Sequence, residues 1–205
     1  MTRDQLLAVS LFALVSSITP GPNNTMILAS GVNFGLRRSL RHLAGICLGF
    51  GFMLLCVGLG LHSVLSAVPV LLDTMRYAGT AYLLWLAYKL ATALPAQSAS
   101  ASSTGGAGSA QPMGFWAAVA FQWVNPKAWV MAMTAMTTYL PGNAAWTQVV
   151  VLCAVFTVIN IPCVTFWAAF GSGMRGLLQD PLRLRVFNVT MAVALVASLY
   201  PMLKN

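Results

Sequence analysis

The sequence predicts an all-α membrane protein, with six transmembrane helices forming two inverted three-helix repeats and with helices 1 and 4 broken near their middles. Three observations lead there. The 205 residues are 59% hydrophobic and only 7% charged, with a mean hydropathy of +0.79, whereas soluble domains carry about 25% charged residues. The apolar residues gather into six runs, and about 20 such residues cross a bilayer core as a helix. Finally, the first run of each half is interrupted by proline beside asparagine.

The runs cover Leu6 to Gly31, Leu43 to Leu65, Tyr77 to Leu94, Met113 to Met136, Thr147 to Phe170 and Val186 to Leu203. Each is expected to be helical, because lipid offers backbone groups no partners. Met1 to Ser17 has a basic start and an apolar stretch, but Asp4 offsets Arg3 and no A-x-A site follows, so it reads as a retained span and not a signal peptide. Residues 95–112 are rich in Ala, Ser and Gly and carry no charge, the composition of a flexible linker. They divide a single transmembrane domain into halves at 1–94 and 113–205. Three spans per half is an odd number, so repeated halves take opposite orientations.

Charge orients the chain. Arg37, Arg38, Arg41, Lys89, Arg175, Arg183 and Arg185 flank the connections after runs one, three and five, and only Arg3, Arg76 and Lys204 flank the others. The basic side is expected to be cytoplasmic, with both termini outside. The net charge of +8 is scattered singly between apolar runs and forms no basic stripe, which excludes a nucleic-acid partner. Cys47, Cys56, Cys153 and Cys163 form no C-x-x-C and have no His or acid beside them, so they read as small buried hydrophobes, and no metal is expected.

The interruptions carry the chemistry. Pro20 and Pro22 lack the N–H a helix needs, so the first helix must end there and leave carbonyls without partners. Gly21 permits a sharp path, and Asn23 and Asn24 are expected to cap a helix resuming at Thr25. The start of such a half-helix has a positive dipole end and free N–H groups suited to a carboxylate. In the second half, Asn125 and Pro126 repeat the pattern beside Lys127, a charge near the middle of a span, where it is costly and faces the bundle interior or water. Asn160, two residues before Pro162, pairs an amide with a helix breaker again. Paired broken helices point to a transporter's binding site. Pro20, Gly21, Pro22, Asn23, Asn24, Asn125, Pro126, Lys127 and Asn160 are therefore the candidate substrate-binding residues.

Other polar and small residues read as packing. Asn188 is expected to hydrogen-bond between helices, and Gly31-x-x-x-Gly35 and Gly45-x-x-x-Gly49 to let helices approach closely. Tyr82, Trp85 and Tyr88, and His42 and His62 at the ends of the second run, read as interfacial.

These residues also carry a resemblance. Thr19 to Asn24, followed by Gly31, Gly35, Arg37, Arg41, Gly45 and Gly49, resembles the opening signature of the lysine exporter superfamily in its homoserine/threonine (RhtB-type) branch. Asn125-Pro-Lys-Ala128 is similar to its second signature, and Gly79 to Leu83 with Lys89 to its third-helix pattern; Ala87 departs from that pattern. Thr19 to Asn24 and Arg41 to Gly49 look most like the cysteine/O-acetylserine exporters. The resemblance implies a bacterial inner-membrane exporter of amino acids driven by the proton gradient. The partners are then a small amino acid, the lipid bilayer and protons, with no cofactor, and a homo-oligomer is allowed.

A membrane-embedded enzyme would need a nucleophile and base, or metal ligands, facing one another. The three acids, Asp4, Asp73 and Asp180, lie outside the runs and neither His is central, so no enzymatic activity is expected. A non-transporting accessory protein is the remaining alternative, at odds with an intramembrane Lys and paired breaks.

Overall fold

The computed structural model describes residues 1–61, 69–93, 111–141 and 144–198, except for the side chains at positions 61, 69, 71–73, 75 and 76. Residues 95–110 of the expected 95–112 linker, His62 and Lys204 lie outside the described residues. The described residues form helices, with no strand among them: α1 (Arg3–Ile18), α2 (Pro22–Phe34), α3 (Leu36–Cys56, continued by a π turn at Val57–Leu61), α4 (Pro69–Ala91), α5 (Phe115–Gln122), α6 (Pro126–Tyr139), α7 (Trp146–Met174) and α8 (Pro181–Ala197).

Local sequence sets where these helices start. Thr2 and Gln5 form a capping box, with Gln5 N–H donating to Thr2 Oγ1 at 3.2 Å and Thr2 N–H to Gln5 Oε1 at 2.8 Å. Helices α2, α6 and α8 each open on a proline, whose fixed φ suits the first helical position and whose missing N–H costs nothing there.

Helix α7 is central and packs against α1, α2 and α3, while α4 packs on α8 and α5 on α3. At the α2–α7 crossing, a Cβ on Gly31 would collide with the Ala168 carbonyl, and one on Gly171 with the Leu28 carbonyl. The two backbones touch. Gly45 and Gly49 bring α3 equally close to α5, where a Cβ would lie 2.5 Å from the Phe115 carbonyl oxygen and 2.7 Å from Val119 Cα. Gly31, Gly45 and Gly49 therefore act in packing, as expected. Large apolar side chains such as Leu11, Phe52, Trp116, Val130 and Phe166 cover the outside, where lipid can solvate them.

Three expectations change. The second run enters its helix at Leu36, seven residues early: Gly35, at φ 81°, makes the whole corner between α2 and α3, a left-handed turn that favours glycine. Arg37, Arg38 and Arg41 thus sit in the first turns of α3. His42 is consequently not interfacial but 2% exposed, on the face shared by Ser39, Ile46 and Met53. Helix α7 also runs without interruption through Pro162.

Among the described residues, Leu36–Gly60 and Trp146–Met174 are each long and apolar enough to cross a membrane. The pair α1 and α2, bent by 53° at its break, makes a third candidate. In the second half the break divides the fourth run into pieces of 8 and 14 residues.

Candidate functional site

The first break leaves the last carbonyls of α1 without helical donors, as any helix end does, and side chains supply the missing donors one by one. Asn24 Nδ2 donates to the Ser17 and Thr19 carbonyls at 2.7 and 2.8 Å. Trp167 Nε1 on α7 donates to the Ile18 carbonyl at 3.0 Å. Lys127 Nζ, arriving from the second break, donates to Thr19 O at 2.7 Å, Thr19 Oγ1 at 2.9 Å and Pro20 O at 3.1 Å. A cation is well placed there, at the negative end of the α1 dipole.

Gly21 makes the Lys127 approach feasible, since a Cβ on it would stand 2.6 Å from Lys127 Cδ. The two asparagines do not cap the second half-helix as expected. With Pro22 in the first helical position, α2 begins two residues before Asn24, and its N-cap, Gly21, offers no side chain. Asn24 turns back to α1, and the backbone N–H groups of Asn23 and Asn24 have no acceptor among the described residues.

At the second break, Trp123, Val124 and Asn125 N–H groups donate to carbonyls three residues back at 3.1, 3.2 and 3.3 Å, a tight final turn. Asn125 caps α6 by accepting from Lys127 N–H at 3.2 Å, and its carbonyl accepts from Ala128 and Trp129 N–H. The start of α6 is thereby satisfied, so of the two helices that open at the breaks only α2 leaves free N–H groups among the described residues. The third-helix glycine, Gly79, packs on this break, with a Cβ position 2.7 Å from the Val124 carbonyl oxygen.

The two breaks meet. Asn23 Nδ2 donates to Gln122 Oε1 at 2.8 Å, and Gln122 Nε2 returns a bond to Asn23 Oδ1 at 3.2 Å. Between them lies a cavity of about 30 Å3, room on the order of one or two water molecules. Of the nine candidate residues, Gly21, Asn23, Asn24, Asn125, Lys127 and Asn160 line it, while Pro20, Pro22 and Pro126 shape the breaks from outside. Asn160 is 5% exposed and its amide has no partner among the described residues; Ser17 Oγ, also lining the cavity, is buried without one. Apolar walls come from Phe50, Met131 and Val164. The cavity therefore offers amide, hydroxyl and N–H groups with one ammonium at its edge, and no carboxylate among the described residues lines it.

Sequence reasoning missed Gln122, Ser17 and Trp167. The signal for Gln122 was present: an amide inside an apolar run, three residues before Asn125. Asn188 does pair between helices, exchanging bonds of 3.0 and 3.3 Å with Asn33. Trp85 and Tyr88 are exposed, and Tyr82 stacks on Trp85 while tilting against Phe121. No group of metal-binding side chains occurs among the described residues.

The LysE type translocator family matches residues 14–198, which takes in both breaks and every residue of the cavity. The chain belongs to this family. A LysE type translocator is a membrane transport protein and not an enzyme. The chain is 35% identical over 198 residues to the cysteine/O-acetylserine efflux proteins of Escherichia coli (strain K12) and Shigella sonnei (strain Ss046), covering 96% of this chain and 96% of each relative. No solved structure matches it.

Proposed function

We propose that this translocator exports small neutral amino acids or their derivatives, of the cysteine, O-acetylserine, threonine and homoserine class, across the bacterial inner membrane. The observation that carries the reading is the convergence of both helix breaks on one cavity lined by Asn23, Asn24, Asn125, Asn160 and Lys127 and by no acid among the described residues. The substrate carboxylate is taken by the α2 N–H groups, with the amides of Asn125 and Asn160 alongside. A dibasic substrate would bring a second positive charge beside Lys127 with no anion to meet it, which is unfavourable once both are desolvated. The efflux proteins of E. coli and S. sonnei, named for cysteine and O-acetylserine, favour the same class.

In this reading the chain crosses the membrane six times, with 1–94 and 113–205 as inverted halves joined by 95–112. The matching breaks at residues 20–22 and 125–126 support it. The basic side is cytoplasmic. It is supported at one corner, where Leu36 N–H donates to Ser172 Oγ at 3.2 Å and so gathers Arg37, Arg38 and Arg41 at the Arg175 end of α7. The proton gradient drives export. With no acid in any of the six apolar runs, coupling runs through Lys127 or through ionisation of the substrate itself.

Efflux from cells loaded with labelled cysteine or O-acetylserine, compared with and without the protein, tests the reading. Faster efflux with the protein is expected; equal efflux for every member of the class would favour an accessory role.

A further inference from the structure

We propose that the carbonyl cup at the end of α1 is the subsite for the α-ammonium of the amino-acid substrate, and that Lys127 occupies it as a tethered stand-in. The inference rests on the broken-helix site described under the proposed function. Three oxygens, Thr19 O, Thr19 Oγ1 and Pro20 O, surround one nitrogen at 2.7, 2.9 and 3.1 Å. A primary ammonium has three donors and no acceptor, so this tripod suits any R–NH3+ and not lysine in particular. The attraction comes from neutral oxygens and the negative end of the α1 dipole, because no carboxylate among the described residues lines the cavity.

An α-amino acid carries its ammonium and carboxylate on one carbon. The protein offers the matching pair on the two sides of one three-residue break: carbonyl acceptors at the end of α1, and N–H donors of Asn23 and Asn24 at the start of α2. Lys127 fills the acceptor half only. The donor half has no partner among the described residues, and neither does the buried Asn160 amide beside it. The lysine side chain reaches the cup over Gly21, where a Cβ would lie 2.6 Å from Cδ and 3.2 Å from Nζ, so it is laid along a path that can be vacated without moving the backbone. An arriving substrate ammonium displaces Nζ. When substrate leaves, Nζ returns and the carbonyls are not left bare, so the tether favours release.

The test compares purified protein binding labelled O-acetyl-L-serine and 3-acetoxypropanoate, the same molecule lacking only the α-amino group. Lys127→Met keeps the length of the side chain and removes its ammonium. If Lys127 fills the cup about nine-tenths of the time, removing it tightens apparent O-acetylserine binding about tenfold, because the competent fraction rises by that factor. Binding of 3-acetoxypropanoate is not tightened, and export by Lys127→Met cells falls. Gly21→Ala, which pushes the stem aside and retains the charge, also tightens O-acetylserine binding, and it decides the matter should Lys127→Met fail to fold. Weaker binding of both probes by Lys127→Met would make Lys127 the carboxylate partner and overturn the stand-in while leaving the broken-helix site standing. Unchanged binding of both would also overturn it. No binding of either probe to any of the three proteins would overturn the site as well.

Discussion

Asn23 and Gln122 exchange two amide hydrogen bonds, at 2.8 and 3.2 Å, across 99 residues of sequence, and so clamp the first helix break to the second. Gln122 is fully buried and gives its other amide hydrogen to the Ala118 carbonyl at 2.9 Å. Replacing one partner strands the other, which costs about 1–3 kcal/mol for a buried polar group. Asn23→Leu and Gln122→Leu are each expected to lower the melting temperature of the purified protein, and the double variant to lose less than the sum of the two. Strict additivity would show that the clamp does not couple the breaks.

Asn24 and Asn160 line the same cavity but differ in what they hold. Asn24 satisfies two carbonyls of the α1 end, whereas the Asn160 amide bonds to no described residue. Asn24→Ala is therefore expected to lose export together with about 1–3 kcal/mol of stability. Asn160→Ala is expected to lose export while its thermal stability stays within about 0.5 kcal/mol of the parent. Thermal melts beside efflux assays separate the two; a large destabilisation by Asn160→Ala would place its amide in the packing.

Glycines along α7 give a second contrast. A methyl on Gly171 meets the α2 backbone, which cannot yield as a side-chain end does, whereas one on Gly173 meets nothing within 4 Å. Gly171→Ala is expected to destabilise by about 1–3 kcal/mol, as overpacking does. Gly173→Ala should be neutral or gain up to about 1 kcal/mol from helix propensity. Equal melting temperatures for the two variants would contradict the close α2–α7 crossing.

How legible the site was depends on the type of residue. Proline is read locally, because it lacks the N–H that a helix interior uses; hence both breaks at residues 20–22 and 125–126 were visible in the sequence. An amide is not read locally. Asn24 looked like an N-cap from its neighbours, yet the nearest unsatisfied groups in space are the α1 carbonyls, and it serves those. Pro162 shows the opposite limit, since α7 keeps its course through the proline within the packing of α1, α2 and α3 around it. His42 looked interfacial from the edge of its apolar run, but the Gly35 corner starts α3 early and carries it inside. The Asn23–Gln122 clamp depends on a pairing between halves that no local pattern contains.

The orientation can be read chemically. In a background without the four native cysteines, a single cysteine at Ser102 is expected to resist an impermeant thiol reagent in intact cells and to react after permeabilisation, placing the 95–112 segment in the cytoplasm. Labelling from outside would invert the assignment drawn from the basic residues.

Efflux measured on cells loaded separately with labelled O-acetylserine, cysteine, lysine and arginine tests most directly the claim that the joined breaks form the site of a neutral amino-acid exporter. The parent is expected to speed efflux of a neutral substrate and leave lysine and arginine inside, and Asn24→Ala and Lys127→Ala are each expected to abolish that efflux while the protein is still found in the membrane. Robust lysine or arginine export by the parent, or full activity in both variants, would contradict the account.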